Sequence, residues 1–430
     1  MKDLDMTVWD GAIAALEKPG DGWINVDMED TASLLLDKRV KDLYLNYMKG
    51  LRESAYRGEF IAGAFTTVPL EIFRAMDMPT VQIINMCCLT SLATGIAQEC
   101  QNIAGDLGIM FETCGVHRVI ASHFSKGWVP GVKVMIRALV GCDSASNSGG
   151  ISSDYYGIPE FGLDAPYYYN ERSVKYYASE LESLIKFLED LSGKKMDWDR
   201  LKEIVKLTGV MRKLTREIAE LRKTIPSPME NRRAWQLNWL SWVYAGTQEG
   251  IDWLTAVRDD LKRRVAEKKG VAKEEKFRLM DLFMVPMHCN LRILNWMQEQ
   301  GVVMVNEALI FTWGKEDVEM DPSQPLISLA HKLYNGPLLG TLMGPIENGI
   351  EYLVRDAKDY NIDGAVFWQT NACRQSGLIQ SWKEALSKKA GVPTAVIEMD
   401  LIDTTIATYE QIKEKLEEFF ETLESIREEA

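Results

Sequence analysis

The chain has 430 residues, of which 46% are hydrophobic and 26% charged, and its formal net charge is -14. This length and composition predict two or three globular units with sizeable cores. The basic residues are spread among acidic ones, which disfavours a nucleic-acid partner. The apolar runs are too short to cross a bilayer and the first residues are charged, so we expect a cytoplasmic protein that is not bound to a membrane.

The first half of the chain changes from helical to alternating patterns. Residues 1–58 are predicted to be a helical N-terminal segment, because apolar residues recur there at helical spacing. Residues 59–170 are predicted to be a first α/β lobe, since short apolar runs end in turns. These predicted strands are Phe60 to Phe65, Thr80 to Ile84 and Val132 to Val140.

The second half begins with long amphipathic stretches. Residues 171–270 are predicted to be a helical connector, with helices over Glu171 to Ser192 and Trp198 to Lys223. Residues 271–430 are predicted to be a second α/β lobe with a C-terminal helix. Its predicted strands are Phe277 to Val285, Val302 to Val305, Ala365 to Trp368 and Thr394 to Glu398.

Two of the seven cysteines lie where loops of a parallel sheet would place ligands, and a third lies elsewhere in the first lobe. Cys142 and Cys373 each follow a predicted strand, and Cys114 lies just before or within a helical stretch of the first lobe. Ligands of open parallel sheets collect at the carboxyl ends of the strands. If the two lobes face one another, these three thiolates are therefore expected to converge on one cleft.

Other interpretations of the cysteines stay open. Seven cysteines are too few for a disulfide scaffold in a chain of this length, and any of them could be a small buried residue. Cys100 in particular is expected to pack in a core. A zinc site at Cys114, His117 and His123 is a further alternative, although the local sequence supplies no fourth ligand.

Several short segments between about Phe60 and Leu423 occur in a characteristic order. They are, in chain order, those that begin at Val68, contain Cys114, contain Cys142, begin at Leu163, Gly193, Pro226 and Glu275, and contain Cys373 followed by Ile397 to Asp400. Their order resembles that in the family of 2-hydroxyacyl-CoA dehydratase and benzoyl-CoA reductase subunits. The segments that begin at Leu163 and Gly193 are most similar to the larger dehydratase subunits.

The resemblance implies a 4Fe-4S cluster bound by Cys114, Cys142 and Cys373, between two flavodoxin-like or Rossmann-like lobes. It implies removal of water from a 2-hydroxyacyl-CoA through a ketyl radical, after one-electron activation by a separate ATP-hydrolysing iron-sulfur activator. It also implies a homologous second subunit, or a second copy of the chain, as partner. The sequence has no Gly-x-x-x-x-Gly-Lys-Ser/Thr loop, so we expect the activator to hydrolyse the ATP.

Five further residues are candidates for the same site. Glu71 is expected to touch the substrate or an iron-bound water, or else to be a first-turn carboxylate favoured by the helix dipole. His117 is expected to carry a proton, or else to be structural. Ser144, Arg374 and Ser376 are expected to donate hydrogen bonds to cluster sulfur or substrate, or else to cap helices.

Two alternative functions remain open at this point. An ATP-dependent benzoyl-CoA reductase subunit would share the cysteines and the activator but would deliver two electrons to an aromatic ring. A non-catalytic iron-sulfur subunit would relay electrons without meeting substrate.

Overall fold

A computed structural model of the protein describes residues 4–18, 31–308, 318–336, 339, 344–370 and 373–429. The chain divides into two compact units. The first unit consists of Met1–Arg212, Trp239–Leu254 and Val318–Tyr334, and the second consists of Lys213–Asn238, Thr255–Asp317 and Asn335–Ala430. Each unit is therefore assembled from separate stretches of the chain.

Among the described elements, consecutive strands are separated by one to four helices. The strands are β1 (Ile61–Ala64), β2 (Thr80–Gln82), β3 (Val132–Ala138), β4 (Glu160–Leu163), β5 (Phe277–Asp281), β6 (Val302–Glu307), β7 (Gly364–Gln369) and β8 (Thr394–Glu398). The helices are α1 (Thr7–Glu17), α2 (Thr31–Tyr56), α3 (Leu70–Ala75), α4 (Ile83–Thr94), α5 (Ala97–Asp106), α6 (Gly115–Lys126), α7 (Asp143–Tyr156), α8 (Glu171–Ser192), α9 (Trp198–Leu221), α10 (Arg233–Val243), α11 (Gln248–Ala266), α12 (Asn290–Glu299), α13 (Pro325–Tyr334), α14 (Ile346–Asp359), α15 (Ile379–Ala390) and α16 (Tyr409–Glu429).

The sheet of the first unit has four parallel strands in the order β2-β1-β3-β4. All residues of β1 and β2 are buried, as expected for a parallel sheet covered on both faces. The predicted strands at Phe60, Thr80 and Val132 are confirmed. Sequence analysis missed β4, because the segment Glu160 to Leu163 is short and carries a charged residue and a glycine.

The sheet of the second unit also has four parallel strands, in the order β6-β5-β7-β8. Every residue of β5 and β6 is buried, and the four strands predicted for this part of the chain are confirmed. The prediction of a mixed α/β protein with two sheets is therefore correct.

Both sheets place their strands in the same relative order: second, first, third, fourth. This is the order of the first four strands in a flavodoxin-like sheet. The direction of winding reverses between β1 and β3 in the first unit, and between β5 and β7 in the second. At such a switch point the loops that follow the two central strands diverge and leave a crevice where ligands bind.

The two amphipathic helices predicted after residue 170 are also confirmed, over Glu171–Ser192 and Trp198–Leu221. In α8 the side chain of Asn170 caps the helix by accepting a hydrogen bond from the Ser173 amide. Every helix within the described ranges is too short or too polar to span a membrane.

Candidate functional site

The switch point of the first unit brings together two segments that the sequence marked as candidates. Glu71 lies in the first turn of α3, shortly after β1, and Cys142 immediately precedes α7, shortly after β3. Strands β1 and β3 are paired neighbours in the sheet. Both residues are therefore on the carboxyl side of adjacent strands, where α/β proteins place their ligands.

The sulfur of Cys142 lies at the N-terminus of α7. It accepts a hydrogen bond from the Ala145 amide at 3.3 Å, and the residue is half-buried. Cys114 occupies the corresponding position at the start of α6, is buried, and α6 packs directly on α7. The positive end of a helix dipole favours a thiolate over a thiol, and a thiolate is the form of cysteine that binds iron.

His117 belongs to the first turn of α6, and its ring contacts Cys142 at the start of α7. Its Nε2 is 3.5 Å from the Cys142 sulfur, and its Nδ1 is 3.0 Å from the Ser148 hydroxyl oxygen. The ring is buried and stacks near Phe65, with ring centroids 6.5 Å apart. Burial lowers the pKa of His117 to about 4, so the imidazole is neutral at physiological pH.

Glu71 is completely buried, and one carboxylate oxygen makes all of its described side-chain contacts. Its Oε1 accepts hydrogen bonds from the Lys332 ammonium at 2.5 Å and from the Thr208 hydroxyl at 3.0 Å. Its Oε2 has no hydrogen-bond partner within the described part of the chain. Burial alone would raise the pKa of Glu71, but the charge and hydrogen bond of Lys332 hold it below its usual value.

In the second unit, Cys373 follows β7 and precedes a short 3-10 helix over Arg374–Leu378. Cys373 is half-buried and Arg374 is exposed. The Ser376 hydroxyl donates to the Thr370 carbonyl at 2.8 Å, and this bond stabilises the turn. Ser144, in the first unit, lies half-buried in the first turn of α7. The neighbouring residues Asn371 and Ala372 lie outside the described ranges.

The remaining cysteines are buried. Cys87 and Cys88 lie within α4, Cys100 within α5, and Cys289 immediately precedes α12. Burial raises the pKa of Cys100 to about 11 and that of Cys289 to about 12. None of the seven cysteines forms a disulfide. High thiol pKa values fit the packing role that was predicted for Cys100.

Sequence analysis missed two buried ionisable groups, one at the carboxyl end of a strand and one in a helix. Asp281 ends β5, and burial raises its pKa well above the usual value. Lys332, the partner of Glu71, lies in α13, which has no cysteine or motif to draw attention to it. An acidic residue at the end of an apolar run was the available signal for Asp281, whereas no local signal marked Lys332.

The cysteines suit an iron-sulfur cluster in their chemistry. Three thiolates leave one iron of a four-iron cluster without a protein ligand, and Cys114 and Cys142 lie at helix N-termini that favour thiolates. Cys373 belongs to the other unit. Within the ranges that the structure describes, no group of three His, Cys, Asp or Glu side chains is arranged to hold a metal ion.

Comparison with known proteins gives consistent results. Residues 65–423 match the family model described as 2-hydroxyglutaryl-CoA dehydratase, D-component. The chain is 24% identical over 322 residues to a benzoyl-CoA reductase subunit of Thauera aromatica, covering 70% of this chain and 72% of the relative. It is 22% identical over 364 residues to the (R)-phenyllactyl-CoA dehydratase alpha subunit of Clostridium sporogenes, covering 82% of this chain and 86% of the relative.

A third relative is the (R)-2-hydroxyglutaryl-CoA dehydratase alpha subunit of Acidaminococcus fermentans, 23% identical over 284 residues, with 63% of this chain and 56% of the relative covered. The family match covers most of the chain and includes all three candidate cysteines. The chain therefore belongs to the 2-hydroxyglutaryl-CoA dehydratase D-component family and is an enzyme subunit of the kind that its dehydratase and reductase relatives represent.

Proposed function

We propose that the chain is the 4Fe-4S subunit of a 2-hydroxyacyl-CoA dehydratase, with Cys114, Cys142 and Cys373 as the cluster ligands. The observation that carries this proposal is the position of Cys142, half-buried at the N-terminus of α7 and at the switch point of a parallel sheet. The dehydratase alignment has 22% identity over 82% of the chain and the reductase alignment 24% over 70%, so both remain candidates on overall similarity. The resemblance of the segments that begin at Leu163 and Gly193 to the larger dehydratase subunits favours the dehydratase.

When bound, the cluster would supply the electron that activates the thioester. The chain itself would provide the cysteine thiolates that bind the cluster and the hydrogen-bond acceptors that face the substrate. Glu71 suits the second task, because Lys332 and Thr208 fix one carboxylate oxygen while Oε2 keeps its accepting capacity. We propose that a substrate group or a water molecule donates to Oε2. Ser144, Arg374 and Ser376 stay proposed donors near the cysteines, and the Ser376 hydroxyl would have to turn away from the Thr370 carbonyl to donate there.

The partners follow from the same proposal. The relatives are named as subunits of dehydratases and of a reductase, which supports assembly with a homologous second subunit or a second copy of the chain. A separate ATP-hydrolysing iron-sulfur activator would deliver the electron. The lack of disulfide bonds among the seven cysteines supports a reducing, cytoplasmic location.

Iron content tests the proposed ligands. Cys114→Ala, Cys142→Ala and Cys373→Ala should each lower the iron content and the visible absorbance of anaerobically purified protein. Cys100→Ala is the matched control, because Cys100 is buried within a helix and has a raised pKa. Full retention of iron by all three ligand variants would show that the assignment is wrong.

Counting electrons tests the reaction. With its partner and activator, the protein should convert a 2-hydroxyacyl-CoA to the 2-enoyl-CoA while using far less than one reductant per product, since dehydration is redox-neutral. A benzoyl-CoA reductase, which the 24% identity to the reductase subunit supports as the second candidate, uses two electrons in each turnover. A stoichiometric demand for reductant would favour the reductase, and inactivity on both substrate classes would favour an electron-relay subunit.

A further inference from the structure

The side chains around Cys142 form a short hydrogen-bonded chain inside the first unit. Ser148 contacts His117 Nδ1 at 3.0 Å, and His117 Nε2 contacts the Cys142 sulfur at 3.5 Å. The Ser148 hydroxyl oxygen is also 3.2 Å from the carbonyl oxygen of Ala145. The backbone amide of Ala145 donates to the Cys142 sulfur at 3.3 Å. Residues of both α6 and α7 thus act on one sulfur atom.

The proton positions in this chain depend on the state of Cys142. A neutral imidazole carries one N–H, and a thiolate can only accept a hydrogen bond. With Cys142 as a thiolate, the proton therefore belongs on His117 Nε2. His117 Nδ1 then accepts from the Ser148 hydroxyl, which turns away from the Ala145 carbonyl.

We propose that His117 is a positioning residue that donates a hydrogen bond from Nε2 to the Cys142 sulfur, with Ser148 fixing the tautomer. The inference rests on the proposed function, in which Cys142 is a cluster ligand. Hydrogen bonds to cluster sulfurs draw electron density away from the cluster and stabilise its reduced form. His117 therefore raises the reduction potential of the cluster that Cys142 would hold.

The chain provides a matched control on the same helix. His123 is also buried in α6, and burial lowers its pKa to about 4 as well. Its Nδ1 lies 3.0 Å from the Val119 carbonyl and must donate to it, while Nε2 is 3.0 Å from the Thr90 hydroxyl. The nearest cysteine sulfur among its described partners belongs to Cys100, at 3.9 Å, which is not a proposed ligand.

The test is the midpoint potential of the cluster, measured by EPR-monitored redox titration of the anaerobic protein. His117→Phe keeps an aromatic ring beside Phe65 but removes the donor, so its potential should become more negative. His117→Gln places an amide N–H near the position of Nε2 and should stay closer to the wild-type value. Ser148→Ala should shift the potential in the same direction as His117→Phe, by less, and His123→Phe should leave it unchanged.

An unchanged potential in iron-loaded His117→Phe would overturn the inference, as would an equal shift in His123→Phe. If His117→Phe binds no iron, Ser148→Ala decides, and an unchanged potential in that variant overturns the inference. These outcomes differ from failure of the proposed function. That failure would appear as full iron retention in the cysteine-to-alanine variants, whatever the potential of the His117 variants.

Discussion

Glu71 and Lys332 form a buried ion pair at 2.5 Å, with side-chain exposures of 0% and 11%. Removing one member of a buried ion pair lowers the free energy of unfolding by more than the intact pair contributes, because the remaining charge stays buried without a partner. The pKa of Glu71 lies below its usual value, since Lys332 outweighs the opposing effect of burial. The pair therefore stabilises the fold only while Glu71 is ionised.

Glu71→Gln should lower the free energy of unfolding by about 3 kcal/mol at pH 7, because it removes the carboxylate that faces the Lys332 ammonium. The wild-type advantage should be complete above the unfolded-state pKa of 4.5 and should shrink as the pH falls through the lower folded-state pKa. Urea unfolding of both proteins between pH 7 and pH 3 measures this difference. A difference that stays constant to pH 3 would contradict the assignment of charge to Glu71.

Arg222 and Glu307 form a second buried pair, in the second unit. The two guanidinium nitrogens donate to the two carboxylate oxygens at 2.7 and 2.6 Å, and both side chains are 1% exposed. Arg222→Lys keeps the charge but loses one of these bonds, so it should cost about 1.5–3 kcal/mol of unfolding free energy.

The control is Arg57→Lys, because Arg57 contacts Glu59 at the same 2.6 Å while the two side chains are 58% and 36% exposed. Its effect should stay below about 0.5 kcal/mol, since water screens exposed pairs. Chemical denaturation of both variants gives the comparison. Equal costs would mean that burial does not determine the strength of the Arg222 pair.

Two helix-to-strand turns of the second unit each contain a glycine in the left-handed backbone region. Gly301 connects α12 to β6 with a φ of 82°, and Gly391 ends α15 before β8 with a φ of 71°. A Cβ added at Gly301 would lie 2.5 Å from the backbone oxygen of Glu274, whereas one at Gly391 would have no atom within 4 Å. The turns share a conformation and differ in how tightly they are packed.

Gly391→Ala should cost about 1 kcal/mol of unfolding free energy, the strain of a positive φ in a residue with a side chain. Gly301→Ala should cost about 2 kcal/mol more, because the backbone of Glu274 cannot move aside without disturbing the start of β5. Thermal and urea unfolding of the two variants measure both values. Equal costs would mean that the turn at Gly301 relaxes freely.

At the scale of the whole molecule, the first unit depends on a distant stretch of chain. Val318–Tyr334 belongs to the same unit as Met1–Arg212, and it brings Lys332 to Glu71 and Tyr334 to the Pro166 carbonyl at 2.9 Å. Helix α13 within this stretch packs on α8. The first unit therefore lacks part of its core until this later stretch has been added.

A fragment ending at residue 270, the predicted end of the helical connector, should not fold cooperatively. It lacks Lys332, so Glu71 would be buried without its counter-ion, and it leaves the surface of α8 that contacts α13 uncovered. Near-UV circular dichroism and urea unfolding of the fragment and of the full chain test this. A fragment with a native spectrum and a single sharp transition would show that Val318–Tyr334 is dispensable.

The sequence by itself determined the elements and the family. Buried strands such as β1, β3, β5 and β7 are apolar runs that end in turns, and this local pattern is enough to predict them because parallel strands are buried on both faces. The positions of Cys142 and Cys373 directly after such strands were visible for the same reason. The short strand β4 was missed because it has only a weak apolar pattern.

Only the tertiary structure decided which side chains meet. Lys332 reaches Glu71 across 261 positions of the chain, and His117 reaches Ser148 across 31. No local pattern encodes such pairs, since periodicity specifies which face of an element is buried and not which distant element covers it. The buried charges and the hydrogen bonds at Cys142 arise from packing, because each needs partners that only the folded chain brings within hydrogen-bonding distance.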